Sequence, residues 1–443
     1  MQLSNTTTDI CRYCIYCGGV GTAAKTPLRQ LSTHRTFLAR KQLQNVREAI
    51  NMQSSLAVSL HAAATVSRPA RRPQGVSQQC IGLTERSSAA RRAGRRAAAA
   101  VRASAAAPAG GIEAVGGVRP EIDAAIAAAL DRCVTETDLG MGKKYTGKVR
   151  DTYDLGDKLV IVTTDRQSAF DRLLAAIPCK GQVLNQTSAW WMEHTRHIVG
   201  NALLSVPDPN ACIMKKCTVF PVEFVCRGFM TGSTDTSLWT HYKAGAREYC
   251  GNSFPDGMRK NDRLAQNVIT PTTKAEDHDV PISPADIVAQ GLMSQEDWDA
   301  VSAAALALFA FGQEQAAQRG LLLVDTKYEF GKDEDGNILL IDEIHTPDSS
   351  RYWIADTYEQ RHAEGQEPQN IDKEFLRLWF RANCDPYNDP VLPEAPAELR
   401  SELSRRYVLL YEKITGQAFQ PAPLEEEPAA RMRRNVAAAL EAL

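Results

Sequence analysis

Asp325, Lys327 and Glu329 recur at every second position inside an otherwise apolar run, and that alternation constrains the chain more than any other stretch of it. A period of two belongs to a β-strand, where alternate side chains share a face. Val324, Thr326, Tyr328 and Phe330 then take the opposite face. Residues 332–337 form a polar turn holding Asp335-Gly336, a strong hairpin signal, and the apolar run 338–344 follows. With a two-residue turn, Glu329 stands opposite Asp342. Facing carboxylates repel unless something positive lies between them. A hard cation such as Mg²⁺ answers that need, with Lys327 on the same face to neutralise phosphate charge. The plain alternative is a solvated hairpin whose acid–lysine pairs contribute little.

The formal net charge of −2 over 443 residues hides an asymmetry. Residues 1–110 carry 16 Lys/Arg against 3 Asp/Glu, and the remainder has a net charge of −15. A body this acidic is a poor general binder of nucleic acid. No stretch approaches the length of apolar sequence that a membrane span requires. The 11 cysteines are an odd number with scattered spacing, which fits reduced thiols better than a disulfide framework. Cys11, Cys14 and Cys17 are the one cluster, and they have neither a fourth Cys nor a nearby His to complete a metal site.

Residues 1–107 are rich in Ala, Ser and Arg, nearly free of acid, and broken by Pro69 and Pro73. That composition is expected of an organellar transit peptide, directed to a plastid or, as a second choice, a mitochondrion, and read by organellar import machinery. Met52-Gln-Ser-Ser-Leu-Ala-Val-Ser-Leu is itself a typical transit-peptide opening, so translation from Met52 is a second possibility. A disordered basic arm that binds nucleic acid is the competing reading.

Beyond the leader we expect a helix and connector over 108–140, a nucleotide-binding lobe over 141–225, a substrate and metal lobe over 226–423, and a frayed charged tail over 424–443. Residues 121–133 have helical periodicity, and 143–153 with 158–164 read as a hairpin. Gly142-Lys-Lys-Tyr-Thr-Gly147-Lys148 mimics a Walker A loop, but Val149 stands where Ser or Thr is needed. Lys148 and Arg150 can still roof nucleotide phosphates, or line a solvated strand. Residues 217–225 read as an apolar strand whose Pro221 argues for an edge or crossing position, with Glu223 along it. Arg227 and the turn ending at Ser233 offer a forked cation, N–H groups and a hydroxyl, the parts of a phosphate cradle. Residues 261–283 read as a long polar loop containing Lys274, Glu276, Asp277, His278 and Asp279. Residues 295–318 form a strong amphipathic pattern on Trp298, Val301, Ala305, Leu308 and Phe309.

In their order, several of these stretches resemble the SAICAR synthetase family. The motifs are Gly147-Lys-Val-Arg-Asp151, Thr163-Thr-Asp-Arg-Gln-Ser-Ala-Phe-Asp171, the stretch 221–233, Thr270-Pro-Thr-Thr-Lys-Ala-Glu276, Asp325-Thr-Lys-Tyr-Glu-Phe-Gly331 and Thr346-Pro-Asp-Ser-Ser-Arg-Tyr-Trp353. The resemblance covers residues 145–419. It implies an α+β, ATP-grasp-like two-lobed fold with antiparallel sheets and flanking helices. It also implies an ATP-dependent ligase joining L-aspartate to carboxyaminoimidazole ribonucleotide through an acyl phosphate. By motif match, Glu329 and Asp342 hold Mg²⁺, Lys327 stabilises the transferring phosphoryl group, and Asp325 orients the nucleotide substrate or a second metal. Lys148, Arg150 and Glu223 face ATP. Arg227, Ser233 and Arg351 bind the ribonucleotide phosphate, and Asp348, Lys274 and Asp279 belong to the substrate loops. A small-molecule kinase of the inositol phosphate kind also suits the Asp-x-Lys hairpin, and a non-enzymatic nucleotide-binding protein is the third class.

Overall fold

The computed structural model describes residues 116–274 and 280–443. The expected leader, Met52, the three leader cysteines, and Glu276, Asp277, His278 and Asp279 all lie outside the described residues.

Helix α1 (Pro120–Ala129) opens on a proline whose fixed φ suits the first turn, with Glu121 and Asp123 facing the positive end of its dipole. Strands β1 (Lys143–Thr146), β2 (Arg150–Asp154) and β3 (Lys158–Thr163) follow. The stretch 143–153, expected as one strand, is two: the chain turns back at Gly147, and Thr146 pairs with Asp151. Next come the short hairpin β4 (Arg166–Ala169) and β5 (Arg172–Ala176), helix α2 (Lys180–His194), and strands β6 (Leu203–Asp208) and β7 (Ala211–Lys215). Strands β1–β2–β3–β7–β6 make a five-stranded antiparallel sheet.

The chain then runs through β8 (Thr218–Val219), β9 (Val222–Phe229), α3 (Leu238–Lys243), the small hairpin β10 (Glu248–Tyr249) and β11 (Asn252–Ser253), β12 (Arg263–Ile269), β13 (Thr272–Thr273) and β14 (Val280–Pro281). The polar loop expected over 261–283 therefore contains three strands. Helices α4 (Pro284–Ala289) and α5 (Gln295–Ala317) precede β15 (Leu321–Tyr328), β16 (Phe330–Lys332), β17 (Ile338–Leu340) and β18 (Ser350–Ile354). Helices α6 (Ala355–Ala363), α7 (Glu374–Asn383), α8 (Ala397–Thr415) and α9 (Pro428–Ala442) complete the described chain.

Strands β14–β13–β9–β15–β18, with β12 also on β9, form the central sheet, and β17–β16–β8 a three-stranded one. Pairings between named strands are antiparallel throughout, and the fold class is α+β. Pro221 has no N–H to give a ladder, so one ladder stops and another starts there. Strand β8 before it joins the small sheet, and β9 after it sits inside the central sheet. The edge position is corrected; the crossing is what the proline marks.

Ser294 caps α5 by accepting from Asp297 N at 3.0 Å. Trp298, Val301, Ala305, Leu308 and Phe309 are all buried against Phe224, Tyr328 and Phe330 of the sheets. Each such side chain contributes roughly 1.5–3 kcal/mol on leaving water. The frayed tail expected over 424–443 is corrected as well. Glu427 caps α9 at Ala430 N, and Met432 and Val436 pack on Tyr153, Val160 and Ile213 of the first sheet. Arg431 is buried and donates to Asp208 at 2.9 and 3.2 Å.

Candidate active site

Strand β15 carries the alternation that opened the sequence reading, with one irregularity. Leu323 faces Tyr352 of β18 and Asp325 faces Arg351, so Val324 is an inserted residue. Such a bulge reverses the parity of the strand. Leu321 and Leu323 share the principal core with Tyr328 and Phe330, whereas Val324 packs with Phe229, Trp353 and Tyr358. The expectation that Val324 shares the face of Tyr328 and Phe330 is corrected accordingly. From Thr326 onward the alternation holds: Thr326, Tyr328 and Phe330 are buried in the core, and Lys327 and Glu329 meet on the other side.

The hairpin register differs by one residue from the expected one. The turn is longer than two residues: Asp333 N donates to Asn337 O at 3.1 Å, and Gly336 takes φ +81°, a conformation that favours glycine. Phe330 pairs with Leu340, and Glu329 O accepts from Ile341 N at 3.1 Å. Glu329 thus stands opposite Ile341, not Asp342. Asp342 still reaches the site because the chain leaves the ladder after Leu340 and the strand's parity no longer binds it.

Lys327 is the centre of the site. Its Nζ donates to Glu223 Oε1 at 2.9 Å and to Glu329, and lies 3.7 Å from Asp342 Oδ2. Glu223 also accepts from Thr272 at 3.0 Å. Lys274 donates to Glu329, Arg150 donates to Asp342, and Arg150 lies 3.8 Å from Glu343. Burial alone pulls the Lys327 ammonium down, and Glu329, Asp342 and Glu223 together push it well above the usual lysine range. Burial raises Asp342, and Arg150 and Lys327 more than reverse it, holding that carboxyl far below the usual range. Arg150 is likewise raised, its burial outweighed by Asp342 and Glu343. Four carboxylates and three cations nearly cancel here. Among the described residues, no three His, Cys, Asp or Glu side chains gather so as to hold a metal by themselves.

A cleft of about 460 Å³ opens from this cluster. Glu329, Asp342 and Lys274 line one end, Gly147 and Lys148 the turn above, and Leu159, Ile161 and Met214 an apolar wall. Lys148 donates to Asp171 at 2.6 Å across the rim. Glu223 takes its place in the Lys327 cluster, beside this cleft.

On the neighbouring strand positions Asp325 is gripped by two guanidinium groups, Arg351 at 2.5 Å and Arg227 at 3.3 Å. Arg227 also donates to Thr270 at 2.8 Å, and Arg351 lies 3.6 Å from Glu374. Burial raises the Glu374 carboxyl, but Arg351, Arg377 and the adjacent Ser233 hydroxyl bring it down to about 2. No sequence motif singled out Glu374 or Arg377. The charged string Asp372-Lys373-Glu374 on an otherwise apolar helix start was the available signal. Asp348 belongs to a third group. It accepts from Tyr407 at 2.5 Å and Gln167 at 3.2 Å, and Lys180 Nζ is 3.1 Å away. Burial pushes Lys373 beside it down to about 8.

The sequence profile of the SAICAR synthetase family matches residues 143–393. A phosphoribosylaminoimidazole-succinocarboxamide synthase of Legionella pneumophila (strain Lens) is 64% identical over 298 residues, 66% of this chain and 96% of its own. The chloroplastic synthase of Arabidopsis thaliana is 58% identical over 328 residues, 73% of this chain and 80% of its own. Among solved structures, a SAICAR synthase from Saccharomyces cerevisiae complexed with SAICAR matches with a TM-score of 0.56 and 29% identity, over 65% of this chain and 99% of that one. Kinase and non-enzymatic readings of the Asp-x-Lys hairpin account for none of this. A profile running from the glycine turn past the Arg351 strand, with bacterial and plastid relatives both above half identity, makes the chain a member of the SAICAR synthetase family of carbon–nitrogen ligases.

Proposed function

We propose that this ligase of purine biosynthesis joins L-aspartate to the carboxylate of carboxyaminoimidazole ribonucleotide, using ATP and releasing ADP and phosphate. The observation that carries the reading is Lys327: an ammonium raised well above its usual range, paired with the Glu329 that lines a cleft, and two residues along the strand from a carboxylate held by two arginines.

A carboxylate is a poor electrophile because attack on it must expel an oxide. Transfer of the ATP γ-phosphoryl group gives an acyl phosphate, whose leaving group is inorganic phosphate. Catalysis is then mostly positioning and charge neutralisation. Lys148 and Arg150 close over the ATP phosphates, and Glu223 fixes Lys327 against the transferring group. Arg227, Ser233 and Arg351 bind the ribonucleotide phosphate, with Asp325 orienting the two arginines. Asp348 and Lys274 order the substrate loops, and Asp279 has the same role by motif alone. The donor chemistry fits Mg²⁺, which is usually bound by one or two protein carboxylates together with substrate phosphate oxygens and water. Glu329 and Asp342 would hold it, and it would supply charge neutralisation on the phosphates. Residues 1–107 serve as a plastid address, a reading supported by chloroplastic relatives from Arabidopsis thaliana and Vigna aconitifolia; a mitochondrial address is the second choice.

The full chain, given ATP, Mg²⁺ and carboxyaminoimidazole ribonucleotide, should release ADP steadily only when L-aspartate is present. Steady ADP release without aspartate, with a phosphorylated ribonucleotide as product, would make the protein a kinase.

A further inference from the structure

The motif 163–171 has no role in the reading above, yet its hairpin touches both halves of the site. From β4, Arg166 donates to Gly147 O at 2.9 Å and Lys148 O at 3.2 Å, fixing the glycine turn over the cleft. Its neighbour Gln167 donates to Asp348 at 3.2 Å, in the loop that leads to Arg351. The hairpin then reverses through two residues only, Phe170 and Asp171, since Ala169 pairs with Arg172. Both have positive φ, +55° and +57°. Two-residue turns of that shape take Asn-Gly or Asp-Gly by preference, because side chains at positive φ are strained.

Tertiary packing holds the strained tip. Phe170 is buried edge-on against Tyr387, with ring centroids 5.2 Å apart, and Arg381 lies 5.5 Å over its ring. Tyr387 in turn adjoins Asp235, two residues beyond Ser233. Arg172 on the far side of the turn donates to the carbonyl oxygens of Pro386, Asp389 and Pro390. The tip therefore stands between the turn that faces ATP and the loop that carries Ser233. Asp tolerates this conformation better than Phe does, and the Asp171 side chain projects to Lys148 at 2.6 Å with about half its surface open.

We propose that Asp171 is a catalytic residue that receives the amine of the incoming amino acid. It anchors the nitrogen as the ammonium and takes the first of the two protons that the nitrogen sheds, which frees the lone pair for attack. In that step the nitrogen lone pair forms the C–N bond. The bond from the acyl carbon to the phosphate oxygen breaks, and its electron pair leaves with inorganic phosphate. The first proton passes from the Asp171 carboxylate to water, and the second, shed once the C–N bond has formed, leaves with the departing phosphate. This assignment rests on the acyl-phosphate reading.

The test separates the two halves of the reaction with hydroxylamine, a small nucleophile that is neutral at assay pH and needs no carboxylate to anchor it. In the full-length wild-type protein with ATP, Mg²⁺ and carboxyaminoimidazole ribonucleotide, hydroxylamine should trap a hydroxamate. Its absence would overturn the acyl-phosphate reading itself. Asp171→Asn should lose ligation of L-aspartate by about a hundredfold or more, as expected for a lost proton acceptor, with a raised KM for aspartate and continued hydroxamate formation. Equal loss of hydroxamate and ligation would show that Asp171 acts only through Lys148 and would overturn the proposal. Unchanged kcat and KM for aspartate would overturn it too.

Discussion

Lys327, half-buried, and Lys180, fully buried, are each paired with carboxylates, and what surrounds them differs. Lys327 has Glu223, Glu329 and Asp342 around it and a cleft of about 460 Å³ next to it. Lys180 is 0% exposed, meets Asp348 at 3.1 Å, and Asp348 is further held by Tyr407 and Gln167. The first cluster has more charge than its own geometry needs, and an incoming polyphosphate can exchange partners with it. The second is sealed, and exchange there would require opening the core. Identical chemistry thus reads as machinery in one place and as frame in the other, and access decides which.

The largest effect should fall on the frame. Lys180→Met leaves Asp348 buried without its ammonium, which typically costs about 3 kcal/mol or more. The denaturation midpoint should drop with an unchanged denaturant slope, while the KM values of the folded fraction stay put. Full stability with a raised aspartate KM would break the comparison by making Lys180 a substrate contact. Next comes the machinery. Lys327→Met should leave the unfolding midpoint near that of the parent and lower kcat by about 10²–10³; near-normal turnover would end its assignment. The most gradual effect concerns pH. Burial, opposed by the N–H groups of Glu374 and Tyr352, raises the Asp372 carboxyl to about 7. Its folded form holds a proton that the unfolded chain gives up near pH 4. Its contribution to stability is therefore complete below about pH 4 and lost as pH rises to about 7, by at most about 1.4 kcal/mol per pH unit. Asp372→Asn should flatten that stretch of the stability curve, and an unchanged slope would count against the raised carboxyl.

Local periodicity made much of this legible. The β15 alternation, the α5 stripe and the Asp335-Gly336 turn region are short-range patterns, and each element lies where its pattern lies. The errors have equally local causes. A bulge at Val324 leaves no mark in composition, and one additional turn residue shifted Glu329 from Asp342 to Ile341. Helix α9 was readable from Met432 and Val436 at a spacing of four, but its three arginines dominated the reading. What no local pattern can show is pairing across distance. Glu223 and Lys327 are 104 residues apart, and Gln167 and Asp348 are 181 apart. Only the motif resemblance tied such residues into one site.

The sheet that lines the cleft is closed from far away. Its apolar face is covered by Met432 and Val436, and Arg431 satisfies Asp208, 223 residues earlier in the chain. At ribosomal rates of ~5–20 residues per second, that partner follows on the order of tens of seconds behind the strand it covers. Through that interval the nascent first sheet shows water an oily face and an unpaired acid. This makes it the segment a chaperone would hold longest, and the one that a premature stop before Pro428 would leave permanently open.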